Sequence, residues 1–104
     1  MFGNLMGMMD KLNGIQEKFS DLKEELDNEL FIAKSSSGNV KITLSKFATI
    51  KDIEIAEGLE KEQLEDELVL TLNRALEKVK SEALERAKNT ARENMPNIPG
   101  LPSF

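Results

Sequence analysis

The chain has 104 residues, which is the size of a single domain. It contains neither cysteine nor histidine, which excludes disulfides and thiolate metal sites and removes the commonest general base at neutral pH. Its 14 basic and 19 acidic residues give a net charge of −5, unlike the charge of an unspecific polycation that coats nucleic acid.

The N-terminal segment leads directly into a helical pattern. The run from Met1 to Met9 lacks a basic start and is interrupted by Asp10, so it does not resemble a signal peptide. Apolar residues recur at steps of three and four, as in a coiled-coil seam: Leu5, Met8, Leu12, Ile15, Phe19, Leu22 and Leu26. This spacing predicts a helix from about Leu5 to Asn28.

The middle of the chain changes to a period of two. Polar neighbours alternate with Val40, Ile42 and Leu44, and a turn cluster at residues 35–39, which includes Gly38, precedes them. We predict three antiparallel strands at about 29–35, 39–46 and 49–56. A short sheet of this kind has one apolar face, which a helix or a partner chain must cover.

The helical period returns at Leu59 and continues to about Met95. A helix of that length would be roughly 50 Å long at 1.5 Å per residue, more than so small a domain covers with its own chain. We therefore expect part of it to pack against a second subunit. The fold class predicted is α+β, with the order α-β-β-β-α in a dimer with projecting helices.

The chain is expected to form one domain over residues 1–95, followed by a flexible tail rich in proline and glycine over residues 96–104. The prolines of the tail lack the backbone donor that a helix requires. No apolar stretch approaches the roughly 20 residues of a membrane span, so we expect a cytoplasmic protein without a membrane partner.

No arrangement of residues indicates catalysis. Glu62 and Asp66 share a helical face, but an acidic helix start explains them better than a metal pair does, because no histidine, cysteine or calcium-type loop accompanies them. The sequence has no glycine-rich phosphate loop and no nucleophile elbow. We predict that the protein is not an enzyme and has no cofactor, metal or small-molecule substrate.

Six stretches, in this order, resemble the YbaB/EbfC family of bacterial nucleoid-associated proteins: Met1-Phe2-Gly3-Asn4-Leu5-Met6, Gln16-Glu17-Lys18, residues 37–44, residues 50–55, residues 72–76, and residues 95–104. The resemblance covers nearly the whole chain. It departs from the family at Ser45-Lys46-Phe47, where a glycine is usual, and at Ala56-Glu57-Gly58, where Asp-Pro is usual. Both departures lie in predicted turns.

The resemblance implies a homodimer whose sheets join and whose helices project as a pincer around duplex DNA. It further implies binding with little sequence selectivity, in chromosome organisation and gene regulation, at the nucleoid. An alternative function is an acidic dimeric adaptor or small chaperone, which would contact a protein through the methionine-rich start or the proline-rich tail and would not bind DNA.

Nine basic residues are the candidates for contact with DNA phosphates, because Lys and Arg neutralise backbone charge without reading sequence: Lys11, Lys18, Lys23, Arg74, Lys78, Lys80, Arg86, Lys88 and Arg92. Six of them lie within residues 73–92, the one locally basic segment. The alternative for these residues is a solvated helix surface, on which pairs such as Glu82 and Arg86 would interact four residues apart.

Overall fold

A computed structural model describes residues 2–94, with side chains from residue 7 onward. Helix α1 spans Phe2–Asn28 and helix α2 spans Lys61–Asn94. Between them lie strands β1 (Leu30–Lys34), β2 (Val40–Ser45) and β3 (Ile50–Ile55). The predicted α-β-β-β-α order is confirmed, and each strand is shorter than predicted by one residue at each end. The predicted tail, residues 96–104, lies outside the described residues.

The three strands form one antiparallel sheet in the order β1-β2-β3. Gly38 takes a φ of 80° in the first turn, a conformation that glycine adopts without steric cost. In the second turn Ala48 takes a φ of 65°. The backbone N–H groups of Phe47 and Thr49 both donate to the Ser45 hydroxyl oxygen, at 3.2 and 3.1 Å. A serine side chain thus holds the second turn, at a position where the sequence has no glycine.

The hydrophobic core lies between β2 and α2. The inward side chains of β2 are fully buried, and they pack against Ala75 and Val79 of α2. Phe31 and Ala33 of β1 extend this layer on one side. The alternating burial of β2 follows from the two-residue period of a strand, which places every second side chain on the same face.

Strand β3 is not covered by α2. Its three isoleucines, Ile50, Ile53 and Ile55, are 39–43% exposed although they continue the apolar face of β2. Val69 and Leu76 of α2 are also exposed. The apolar face that the sequence predicts is therefore covered by the chain's own helix over β1 and β2 only.

Helix α1 packs against the C-terminal half of α2. Leu26 is buried and Leu22 and Phe19 are half-buried, whereas Met8 and Leu12 of the same seam are exposed. Because the two helices are antiparallel, the first 16 residues of α1 continue beyond the end of α2 by about 24 Å at 1.5 Å per residue. The described molecule is 70 Å long and 16 Å thick.

Candidate nucleic-acid interface

A cluster of five charged side chains joins the base of α1 to α2 and to the sheet. We call it the basal ion cluster: Glu25, Glu29, Lys46, Glu82 and Arg86. The guanidinium of Arg86 donates to both carboxylate oxygens of Glu29, each at 2.9 Å, and to Glu25 at 3.1 Å. Lys46 lies 3.2 Å from Glu29 and 3.3 Å from Glu82. The two-pronged pairing of Arg86 with Glu29 fixes the orientation of both side chains.

These contacts change the acidity of the cluster. Hydrogen bonds from Arg86 and then from Lys46 lower the pKa of Glu29 from its usual 4.5 to about 2. The hydrogen bond to Glu29 is in turn the main cause of the raised pKa values of Lys46 and Arg86. All three groups are therefore charged at neutral pH, and Arg86 is already paired with two carboxylates of its own chain. Glu82, an expected helical partner of Arg86, pairs with Lys46 instead.

Beyond this cluster the two helices run side by side. We define residues 2–24 of α1 and 87–94 of α2 as the arm. Lys18 of α1 shares a shallow cleft with Glu93 and Asn94 of α2, which shows that α1 continues past the end of its partner helix. The arm carries five of the nine predicted DNA-contacting residues: Lys11, Lys18, Lys23, Lys88 and Arg92.

The arm's cations are exposed, as contact with a ligand requires. Lys11 and Lys18 are two helical turns apart and share one face of α1. The Lys23 ammonium lies 5.4 Å from the centre of the Phe47 ring, within the range of a cation–π interaction. Lys88 makes no ion pair among the described residues, and Arg92 has only a long contact of 3.5 Å with Asn89.

The remaining predicted residues are dispersed around α2. Arg74 and Lys78 lie on the side facing β1 and line a groove there. Lys80 lies on the other side, beside Phe47 and Leu76. Arg86 belongs to the basal ion cluster. The basic run of the sequence is thus not one surface, because a helix distributes successive residues about 100° apart around its axis.

Two lysines that are not among the nine predicted DNA-contacting residues also have defined positions. Lys34, the last residue of β1, lines the same groove as Arg74 and Lys78. Lys46 holds the basal ion cluster from the turn after β2. Neither belongs to a basic run, and only the packing of α2 on the sheet brings them to these partners.

The arm offers separated cations among an equal number of carboxylates, and its net charge is therefore zero. Across residues 2–94, no group of three or more histidine, cysteine, aspartate or glutamate side chains is placed to hold a metal ion. Neither helix has, within those residues, a stretch long and apolar enough to cross a bilayer. An exposed elongated arm bearing separated cations can contact successive phosphates of a polyanion.

Comparison with known proteins gives consistent results. The sequence pattern of the YbaB/EbfC DNA-binding family matches residues 1–96. A nucleoid-associated protein of Flavobacterium johnsoniae is 44% identical over 100 residues, which is 94% of each chain. A nucleoid-associated protein of a Sulfurihydrogenibium species is 31% identical over 97% of this chain and 88% of its own. The crystal structure of an uncharacterised protein from Helicobacter pylori superimposes with a TM-score of 0.74 at 26% identity, over 86% of this chain and 95% of that one.

The Glu29→Gln variant should be less sensitive to acid than the wild type. A carboxylate whose pKa is lowered by folding stabilises the folded state fully above its unfolded pKa, and this stabilisation is lost as the pH falls toward its folded pKa. For Glu29 that window runs from pH 4.5 down to about pH 2. The Tm of the wild type, followed by circular dichroism, should therefore fall more steeply across the window than that of Glu29→Gln.

The control is Glu57→Gln, since Glu57 is exposed and makes no ion pair among the described residues. Its Tm should follow the wild-type curve. If the Glu29→Gln curve ran parallel to that of the wild type, the basal ion cluster would not have the role assigned to it.

Proposed function

The chain belongs to the YbaB/EbfC DNA-binding family, and from this membership we propose that it binds duplex DNA as a homodimer. In this proposal it acts at the nucleoid with little sequence selectivity, and it contributes to chromosome organisation and gene regulation without catalysis. Family membership is the observation that carries the proposal. The exposed cations of the arm supply the physical mechanism.

The DNA contacts that we propose are made to phosphates. The arm offers Lys11, Lys18, Lys23, Lys88 and Arg92, which are separated along two helices and do not converge on one pocket. Contacts of this kind position a duplex but carry no sequence information. Because the chain has a net charge of −5, the surface outside the arm repels DNA. Binding should therefore be moderate and strongly dependent on salt.

The other four predicted residues differ in how free they are to contact DNA. Arg86 supports the site indirectly in this proposal, because its pairing with Glu25 and Glu29 holds the arm in place. Arg74, Lys78 and Lys80 remain predicted DNA contacts. They lie nearer the sheet than the arm does, on two different sides of α2.

A second copy of the chain fits the uncovered side of the sheet. Strand β3 is an open edge whose isoleucines are exposed, and Val69 and Leu76 of α2 are exposed as well. Antiparallel pairing of β3 with its symmetry mate would form a six-stranded sheet and bring the two α2 helices side by side on one face. The apolar side chains of both elements would then be removed from water.

Such a dimer explains how separate arms could hold one duplex. Each protomer would contribute one arm, and each arm is long because α1 extends past the end of α2. The basal ion cluster would fix the angle between each arm and the joined sheet. Two arms with exposed cations, projecting from a common base, could contact phosphates on both sides of a duplex.

The adaptor remains a second candidate for one specific reason. Met8, Met9 and Leu12 are all more than half exposed on the arm, and flexible methionine side chains suit adaptable protein contacts. An adaptor would copurify with a protein partner and would not bind unrelated DNA duplexes.

Replacement of Ile53 by Glu should give a monomer. A charge at the centre of the β3 face would be buried without a partner in the proposed dimer, which is strongly unfavourable. Size-exclusion chromatography with light scattering should give the wild type twice the chain mass of 11.7 kDa and Ile53→Glu the mass of one chain. Circular dichroism checks that the variant is folded.

The matched control is Leu70→Glu, because Leu70 is 59% exposed on α2 and lies outside the proposed interface. It should remain dimeric. A monomeric wild type, or a folded and dimeric Ile53→Glu variant, would contradict the proposed interface.

Replacement of Lys88 by Glu should weaken DNA binding more than the same replacement of Lys61. Both lysines are exposed on α2, and both variants change the net charge equally, but only Lys88 lies on the arm. Fluorescence anisotropy with a labelled duplex of about 30 base pairs should show log affinity falling linearly with log salt, and Lys88→Glu should reduce the slope by about 2, since two subunits each lose one phosphate contact.

At moderate salt the same variant should bind about tenfold more weakly than the wild type. Equal effects of Lys88→Glu and Lys61→Glu would place the contact elsewhere. Absence of binding by a folded, dimeric wild type at low salt would contradict DNA binding altogether.

A further inference from the structure

Strand β1 forms the second open edge of the sheet. Ser35 donates its backbone N–H to Val40, and Lys46 donates to the carbonyl of Glu29, so alternate residues from 29 to 35 direct their backbone groups toward β2. The backbone groups of Leu30, Ile32 and Lys34 therefore point away from the sheet, and no described residue hydrogen-bonds to them. This edge can accept one more strand.

An open groove of about 560 Å³ runs along this edge, between β1 and α2. Phe31, Ala33 and Ala75 provide an apolar floor. The buried Thr71 also lines the groove, and its hydroxyl oxygen has no hydrogen-bond partner among the described residues. The groove thus combines an apolar base, an unused polar atom and an unpaired strand edge.

The wall of the groove is positively charged, although the chain as a whole is acidic. Among the described residues, Lys34, Arg74 and Lys78 line it, and Glu77 is the one carboxylate. None of the three cations forms an ion pair with a described residue. An occupant with carboxylate side chains would complement this charge.

We propose that the β1 groove binds an extended acidic segment of another protein, which adds to the sheet as a fourth strand. Its backbone would pair with Leu30, Ile32 and Lys34, which is the strand-addition mode of peptide recognition. Its side chains would alternate between the two faces of the sheet, so that the acidic groups on the face toward α2 reach Arg74 and Lys78. This inference rests on neither DNA binding nor the dimer.

Two other occupants fit the groove less well. A second copy paired through β1 would bring two identical sets of cations together, and like charges at a contact are unfavourable. A duplex would contact the cations but would use neither the backbone edge nor the apolar floor. The combination of all three features favours a peptide strand.

The test uses the full chain and a labelled peptide of about eight residues in which Val and Glu alternate. Fluorescence anisotropy should show saturable binding, and titration of ¹⁵N-labelled protein should shift the amide signals of Leu30, Ile32 and Lys34. A peptide with Lys in place of Glu should not bind. A peptide with backbone N-methylation at alternate residues should bind about tenfold more weakly, because it cannot form the strand hydrogen bonds.

Lys78→Glu should weaken binding of the acidic peptide about tenfold, whereas Lys61→Glu, the same change elsewhere on α2, should alter it less than about twofold. Lack of peptide binding, equal effects of the two variants, or amide shifts confined to β3 would overturn the proposal. So would a light-scattering result in which Lys78→Glu alters the oligomeric state, since that would assign the edge to a second copy. Amide shifts at β1 caused by a duplex and not by the peptide would assign the groove to nucleic acid.

Discussion

The width of the sheet relative to one helix determines which surfaces of this molecule are buried and which stay exposed. Neighbouring strands lie about 4.8 Å apart and a helix with its side chains is about 10 Å wide, so a single helix covers about two strands. Here α2 lies over β1 and β2 and buries Val40, Ile42 and Leu44 completely. Strand β3 remains outside this cover, and its isoleucines retain about two-fifths of their exposure. The proposed dimer is a consequence of that mismatch.

The same geometry separates the functions that the two ends of α2 can perform. From Lys61 to about Arg86 the helix lies on the sheet and buries Ala75 and Val79 against β2, whereas its last residues, 87–94, lie beside α1. The basal ion cluster lies at the transition between these two parts, where Arg86 and Lys46 hold Glu29 at the junction of α1 and β1. Cations beyond this point are exposed on the arm, and those before it lie beside the sheet.

Local patterns in the sequence predicted the elements well because each element has a strong period. The alternation through Val40, Ile42 and Leu44 identified β2, and the turn cluster at residues 35–39, with Gly38, identified the first hairpin. The second turn was placed correctly, but its mechanism was not evident, because Ala48 adopts a positive φ and the Ser45 hydroxyl holds the turn from within the chain. Family membership followed from the order of short motifs that are individually weak.

Which charged residues share a surface could not be predicted in the same way. Residues 73–92 are one basic run in sequence, yet packing on the sheet places Arg74 in the β1 groove, Lys80 on the opposite side and Arg86 in an ion cluster. Lys34 lines the same groove as Arg74 although the two residues are 40 positions apart in the chain. Helical periodicity gives the angle between two side chains around the helix axis, but only the tertiary contacts decide which side of the helix faces a ligand.

Lysine acetylation in the presence and absence of a duplex, read out by mass spectrometry, is the most direct test of DNA binding by the arm, because it reports on every lysine of the wild-type protein at once. DNA should protect Lys11, Lys18, Lys23 and Lys88 on the arm, while Lys61 should react equally in both conditions. Protection confined to Lys34 and Lys78 beside the sheet, or uniform reactivity of all lysines under saturating DNA, would contradict the assignment of DNA binding to the arm.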